Sequence, residues 1–483
     1  MWKKLIFVLV ILCMLMPQLG YGQDAKKALA GVTKAMGDPK SLQYTGSGIL
    51  WQLGQSAYPG AQWPRFNIKS YTRAVNYDTM SMRDEVVRTQ GENPPRGGGI
   101  QPIIGEQRQI LLVSSTQAWN QAGENAVPAP AAAAERLQQL WLTPHGVIQA
   151  AMTHKATAQA QTVGGKKMTV ISFAVPGQLK VKALVNGKNL VEKVEAWSPN
   201  PVLGDMLTET TYADYKDFGG VQFPTRIMQK QGGFPTLELA VSEVKPNAPV
   251  DIQVPDNVRQ AGVQVKTDKV TDGVWYLTGG THHSVLVEMQ DHLVVIEGPQ
   301  DDARAAAVIA EVKKTVPNKP IKYVINSHHH FDHAGGLSAF VAEGATIITH
   351  DVNKGFFMRS FAAPRTIQPD KLAQSHKKAM VEGMKDKRVL SDAMHTIELY
   401  HIQGNAHHDG LIMAYLPKEK LLVEADAYTP PPPTAQPPAQ PSPFSVNLYE
   451  NIERLNLAVD QILPLHGRIV PLAELQKAIG KTS

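Results

Sequence analysis

The sequence predicts an α+β protein in two parts: a β-rich N-terminal domain over residues 23–255, then a second domain over 256–483 folded as a four-layered αββα sandwich. Three observations carry that expectation. Over residues 179–244, short strand-like runs are separated by turn pairs such as Asn186-Gly187, Ser198-Pro199 and Gly219-Gly220, the pattern of a β-meander. Beyond residue 255, strand-like and helix-like runs alternate instead. In that second part, His and Asp residues gather where apolar runs end.

The elements follow in order. Residues 1–22 read as a signal peptide: Lys3 and Lys4 give a basic start, residues 5–16 a short apolar core, and Gly20 and Gly22 small residues before a cleavage point at Gln23. The apolar run is too short to span a bilayer comfortably. The lone Cys13 lies inside it, so the processed chain would hold no disulfide and no thiolate ligand. Residues 25–36, 131–139 and 147–152 look helical, and residues 110–113 and 168–175 read as strands. Residues 244–255 carry three prolines among polar neighbours and read as a linker. The second part opens with the strand pair 273–277 and 293–298, then a helix over 303–314, strands over 321–326 and 346–349, and a mostly helical segment over 351–391 with nine basic residues. Strands at 396–402 and 421–426, a stiff proline run at 430–438 and a helix over 446–461 complete it.

Composition bounds the function. The chain has 483 residues, 19% charged and 43% hydrophobic, as a folded chain longer than one average domain should. A formal charge of +5 is weak for that length and gives no reason to expect nucleic acid as a partner.

The run His328-His329-His330-Phe331-Asp332-His333 fits H-x-H-x-D-H. It follows the strand-like residues 321–326 and precedes Gly335-Gly336. A strand ending in a tight loop points alternate side chains at one spot, so His328 and His330 can share one metal. Asp332 and His333, past the bend, can reach a second. Imidazole and carboxylate ligands without thiolate suit zinc or another borderline divalent ion. Three later positions end apolar runs in the same way: His407 or its neighbour His408, Asp426, and His466.

These motifs resemble the metallo-β-lactamase-fold hydrolase superfamily over roughly residues 265–475. The resemblance implies that His328, His330 and His407 hold one zinc, that Asp332, His333 and His466 hold a second, and that Asp426 bridges both. It prefers His407 over His408, because Gly404-x-x-His407 has the family's spacing. It leaves Glu297 to support the ligand loop where the family often has another acidic residue. The second H of the motif, His330, is His rather than Glu, which the resemblance reads as favouring hydrolytic zinc members over diiron redox members. Every implied ligand lies beyond residue 265, so the second domain alone would carry the metals.

The function implied is an exported binuclear zinc hydrolase of an ester, lactone or amide carbonyl, β-lactams included. A water bridging two metals becomes hydroxide near neutral pH, and Asp332 would orient it and later accept its proton. The partner expected is a small-molecule substrate, in the periplasm or outside the cell, with no membrane-spanning segment after cleavage. A hydroxyacylglutathione-type thioesterase is one alternative, disfavoured by export. A non-catalytic periplasmic metal- or lipid-binding protein is another, disfavoured by the complete ligand set. The best-known β-lactamases frequently have a Cys ligand where this chain has Asp426. The N-terminal domain is loosely similar, around residues 212–224, to periplasmic lipoprotein-carrier-like half-barrels. It reads as an accessory domain, with a hydrophobic-ligand site or an oligomer contact as its other roles. Tyr428 is a candidate oxyanion donor, His282 and His283 are candidates for a supporting or substrate role, and His350 and His401 are expected to be structural.

Overall fold

The computed structural model describes residues 21–99, 102–433 and 440–481, with side chains from Asp24 onward. The apolar segment with Cys13 and most of the proline run after Pro433 lie outside the described residues. Among the described residues, no helix is long and apolar enough to cross a membrane.

The N-terminal region is a single 13-stranded sheet in which neighbouring strands pair antiparallel. The first strand, Ser41–Trp51, pairs with both Arg65–Asn76 and the last strand, Phe234–Pro246, which leaves Asn125–Pro128 and Thr157–Val163 as the sheet edges. Alternating buried residues such as Val181, Ala183 and Val185 put one face of each strand inward. Helices Tyr21–Met36, Ala133–Trp141 and Gly146–Thr153 bury their apolar stripes against that face. Ser198-Pro199 is not a turn: the strand Val191–Asn200 runs through it and the chain reverses at residues 201–203. Pro199 is tolerated because it sits one residue from the strand end.

The C-terminal part stacks a seven-stranded and a six-stranded sheet. Their inner faces share one core, in which Val285, Val294, Ile325 and Ile348 meet Leu399, Ile412, Val423 and Leu463. Helices Asp302–Thr315, Leu337–Glu343 and Asp351–Ala362 cover the outer face of the first sheet. Pro443–Arg454 and Leu472–Ala478 cover the second. This is the αββα layering the sequence predicts. Strands buried on both faces, such as Leu293–Ile296 and Leu421–Glu424, are apolar without alternation.

Three expectations are corrected here. The strands at 273–277 and 293–298 are not neighbours, because Ser284–Glu288 lies between them and pairs with both. The segment 351–391 is helical only over Asp351–Ala362 and Lys371–Ser375. Pro364 forces Ala363 into an extended conformation, and the chain later adds the strands Val381–Met384 and Lys387–Ser391. The expected helix at 446–461 ends at Arg454, the chain turns at Asn456 with φ +51°, and Gln461–Pro464 is a strand.

The two parts touch along the chain. The turn at residues 201–205 docks on the end of the helix Asp351–Ala362, where Arg365 donates to the Pro201 carbonyl at 3.1 Å and Thr366 N–H to Asp205 at 2.9 Å. Val202 is buried in the core of the C-terminal part.

His145 gives the N-terminal region a pH dependence. It is buried and stacked on Phe223, with Nε2 3.2 Å from the Met36 carbonyl and Nδ1 without a partner. Burial pushes its pKa down to about 4. An unfolded chain takes up this proton below about 6.5 while the folded one refuses it. The stabilisation is therefore complete above about 6.5 and is lost as the pH falls towards 4. The loss is on the order of 3 kcal/mol. Urea melts at pH 7.5 and pH 5 should show a smaller drop for His145→Gln than for the native chain.

Candidate metal centre

The site lies where the two sheets meet at the carboxyl ends of their parallel strands. His328 and His330 follow the strand Ile321–Ile325, which pairs parallel with Leu293–Ile296. Asp332 and His333 sit in the single helical turn Phe331–Ala334. Asp426 follows Leu421–Glu424, and His466 follows the parallel strand Gln461–Pro464. His407 lies in the loop between Thr396–His401 and Ile412–Leu416. Gly335 closes the ligand loop tightly: a Cβ there would lie 1.8 Å from the Gln300 carbonyl oxygen.

All seven residues expected as ligands are brought together in two groups. His328, His330, His407 and Asp426 form one, with donor atoms within 4.8 Å of one another; His282, Asp332, His333 and His466 form the other. Asp426 stands between them. Its Oδ2 is 3.3 Å from His328 Nε2, 3.2 Å from His407 Nε2 and 2.9 Å from His333 Nε2, while its Oδ1 is 3.2 Å from His466 Nε2.

The outer nitrogens decide the tautomers. His407 Nδ1 lies 2.7 Å from the Gly98 carbonyl, His466 Nδ1 2.9 Å from the Thr281 carbonyl, and His330 Nε2 2.9 Å from the Ser56 carbonyl. A carbonyl only accepts, so those nitrogens carry the hydrogens and the inward ones are bare lone pairs. His330 Nδ1 accordingly is buried without any hydrogen-bond partner. His407 Nε2 faces His328 Nε2 at 3.0 Å, and His466 Nε2 faces His333 Nε2 at 3.0 Å. Lone pairs crowded so closely beside a carboxylate call for a cation among them, and the donor set suits zinc. The residues fit a metal in both groups.

The field at the site points the same way. Burial opposes a charge on His333, yet Asp426, Asp332 and Glu297 outweigh it and hold its pKa well above the ordinary histidine value. Burial, with His333 as the next cause, holds His328 well below it. Burial works against ionising Asp426 and Asp332, but the surrounding histidines keep both well below the usual carboxylate range.

Glu297 supports the ligand loop. Fully buried, it accepts from His333 Nδ1 at 3.0 Å and Asn326 Nδ2 at 3.0 Å, and from Ser327 Oγ. Both Glu297 and Asp426 take positive φ, +78° and +58°. Such backbone costs roughly 1–3 kcal/mol and persists where surrounding bonds fix it.

His408 is turned away from both groups. Its Nδ1 accepts from Gly410 N–H at 2.8 Å, so its Nε2–H donates to His329 Nδ1. His329 Nε2–H then donates to Ser56 Oγ at 3.1 Å, and that hydroxyl to the Tyr58 carbonyl at 3.0 Å. Burial and His407 push the pKa of His329 down to about 3, so the chain of bonds is uncharged. Tyr428 packs in the outer core beneath the second sheet. His283 bonds the Gly467 carbonyl, and His350 caps the helix Asp351–Ala362 and packs against His401 with the rings tilted by 37°. In the basic segment 351–391, Arg365 is tied to Asp370 and to the turn at residues 201–205, while Phe356 packs on His329.

His282, a candidate for a supporting or substrate role from the sequence, joins the second group, although no spacing singled it out from His283. Three N-terminal residues escaped sequence reasoning. Gln55, Ser56 and Gly98, on turns of the N-terminal region, bond directly to metal-group residues. Nothing local in the sequence marks them.

Residues 277–450 match the family model described as metallo-beta-lactamase superfamily. This part of the chain has the metallo-β-lactamase fold. That match supports a metal-dependent hydrolase. A curated relative, 2,4-dinitroanisole O-demethylase subunit alpha from Nocardioides sp. (strain JS1661), is 22% identical over 182 residues, 37% of this chain. The chain spans 50% of that relative's length. Similar solved structures include a metallo-beta-lactamase from Pontibacter korlensis, 18% identical, covering 44% of this chain and 96% of its own, with a TM-score of 0.35. The metallo-beta-lactamase FIM-1 from Pseudomonas aeruginosa in its mono-zinc form is 19% identical over 45% of this chain and 93% of its own, at 0.34.

His407→Ala should lower metal content sharply, since it removes an inward-facing nitrogen. His408→Ala should keep the metal and instead lower the thermal midpoint, because it leaves Gly410 N–H and His329 Nδ1 buried without partners, at roughly 1–3 kcal/mol each. Elemental analysis with thermal melts of both variants checks the pair; metal loss confined to His408→Ala would reverse the assignment.

Proposed function

We propose that this protein is an exported binuclear zinc hydrolase that cleaves an ester, lactone or amide carbonyl. The observation that supports it best is the pair of facing ligand groups with Asp426 between them. His328, His330 and His407 would hold one zinc, Asp332, His333 and His466 the other, and Asp426 would touch both. When bound, the two ions would supply hydroxide near neutral pH and polarise the scissile carbonyl.

The chain's own residues do the rest. The first group is fully buried apart from Asp426, so substrate approaches from the side of Asp332, His282 and His466, whose side chains are part exposed. Asp332 keeps a charged carboxylate there, able to orient water by accepting its hydrogen bond and to take its proton as the carbonyl adduct forms. His282 Nε2–H, 3.1 Å from Asp332 Oδ2, donates to that carboxylate and holds it charged and oriented. This route needs no nucleophilic Ser or Cys.

Export rests on the basic, apolar and small-residue order of residues 1–22. Amino-terminal sequencing of the protein from its native host should begin near Gln23; an intact Met1 would defeat that part of the reading.

The decisive test joins metal content to turnover. Protein purified without chelator and supplied with zinc should hold near two equivalents per chain and hydrolyse members of a panel of chromogenic esters, lactones and lactams. 2,4-Dinitroanisole belongs in that panel, because the curated relative is named for its O-demethylation. Asp332→Asn should lower kcat by about 10²–10⁴-fold, the range for positioned acid–base groups. A metal content near zero, or turnover unchanged by Asp332→Asn, would overturn the proposal.

A further inference from the structure

We infer that Gln55, carried on a turn of the N-terminal region, is a positioning residue of the hydrolytic centre that fixes the carboxylate of Asp332; the inference rests on the zinc-hydrolase reading above. Gln55 lies 277 residues from Asp332 in sequence and is 7% exposed. Its Nε2 donates to Asp332 Oδ1 at 2.7 Å, a charge-assisted bond. The other oxygen, Oδ2, faces the second ligand group: it is 3.1 Å from His282 Nε2 and 3.9 Å from His333 Nε2. Gln55 therefore holds the oxygen that is turned away from the ligands.

A carboxylate needs such a hold. Rotation about its last torsion is soft and nearly two-fold, so packing alone does not set the plane. The turn that carries Gln55 is itself held: the Gln55 backbone carbonyl accepts from Gly98 N–H at 2.9 Å, and the Gly98 carbonyl in turn accepts from His407 Nδ1. The next residue, Ser56, takes His330 Nε2 on its carbonyl and His329 Nε2 on its hydroxyl. One turn thus contacts residues of both ligand groups. Its approach depends on Gly54, which has φ +73°, donates no side chain, and accepts Phe331 N–H on its carbonyl. A Cβ at Gly54 would lie 2.4 Å from the Phe331 ring, one residue before Asp332.

Partners one shell removed from a metal typically change its affinity or the activity by 10–100-fold when lost. The test uses full-length protein and measures zinc affinity by competition with a chromophoric chelator, alongside kcat and KM on the best substrate of the panel. Gln55→Leu and Gln55→Met remove the donor at similar length. Each should weaken the second zinc equivalent by about 10–100-fold and leave the first within about twofold. The fall in turnover should appear in kcat rather than KM. In an Asp332→Ala background, Gln55→Leu should have no further effect on zinc affinity, because its only route to the metal is gone. Unchanged affinity and kcat in whichever of the two variants folds would overturn the inference. So would a loss that persists undiminished in the Asp332→Ala background, since that marks a structural effect. A native chain that binds two zinc ions but hydrolyses nothing in the panel defeats the assigned reaction alone, and the affinity series still decides the role of Gln55.

Discussion

Everything at the centre depends on the carboxylate of Asp426. Four imidazoles converge on its two oxygens within 3.3 Å, and two of those imidazole pairs face each other nitrogen to nitrogen at 3.0 Å. A carboxylate buried among these rings favours positive charge beside it, and against the effect of burial it is a main cause of the raised pKa of His333. The folding chain commits to this arrangement at a cost. Asp426 itself is held in left-handed backbone, as is Glu297 across the site. Both lie immediately past strands buried on every side, where neighbouring residues leave the backbone no cheaper path.

The legible part of the site was legible for a local reason. His328, His330, Asp332 and His333 fall within six residues, and a strand followed by one helical turn is enough to aim them. His407, Asp426 and His466 could be found because each ends an apolar run. The sandwich layers were legible because doubly buried strands and amphipathic helices alternate. The failures were tertiary. Gln461 opens a strand because residues 461–464 complete a sheet with Leu421–Glu424, a pairing the helix-like run before it hides. Lys387–Ser391 becomes a strand by pairing with Thr396–His401, and its charged residues then face water. His282 could not be separated from His283 because both occupy the same loop, and only the fold decides which ring turns towards Asp332.

The N-terminal region changes how the catalytic part must be understood. It was expected as an accessory domain, with every ligand beyond residue 265. The ligands do lie there, yet the hydrogen bonds that fix three of them come from residues 55–98. His329 explains how the contact is kept. As the second residue of H-x-H-x-D-H it binds no metal group, but its ring links His408 on one side to Ser56 on the other. The pair His329–His408 is therefore a joint, built from the two histidines that the ligand pattern leaves over. Because every member is neutral and each donor meets an acceptor, the joint carries no desolvated charge.

That joint and the ligand set share the same short segment, which ties stability to chemistry. Within residues 328–333, His328, His330, Asp332 and His333 reach the ligand groups while His329 reaches the N-terminal turn. A disturbance of the turn at residues 54–58 therefore reaches His330 and Asp332 in one hydrogen bond, with no longer relay required. Conversely, metal held by His330 and His407 fixes the outer nitrogens that grip the carbonyls of Ser56 and Gly98. Bound metal then stabilises the contact between the two parts as well as the site, by the linkage that favours any state in which a ligand binds. The docking of residues 201–205 on the helix Asp351–Ala362 is independent of these ligands, so the two parts would stay attached there while the turn over the site loosens. Metal occupancy thus bears on the roof of the active site more than on the attachment of the N-terminal region as a whole.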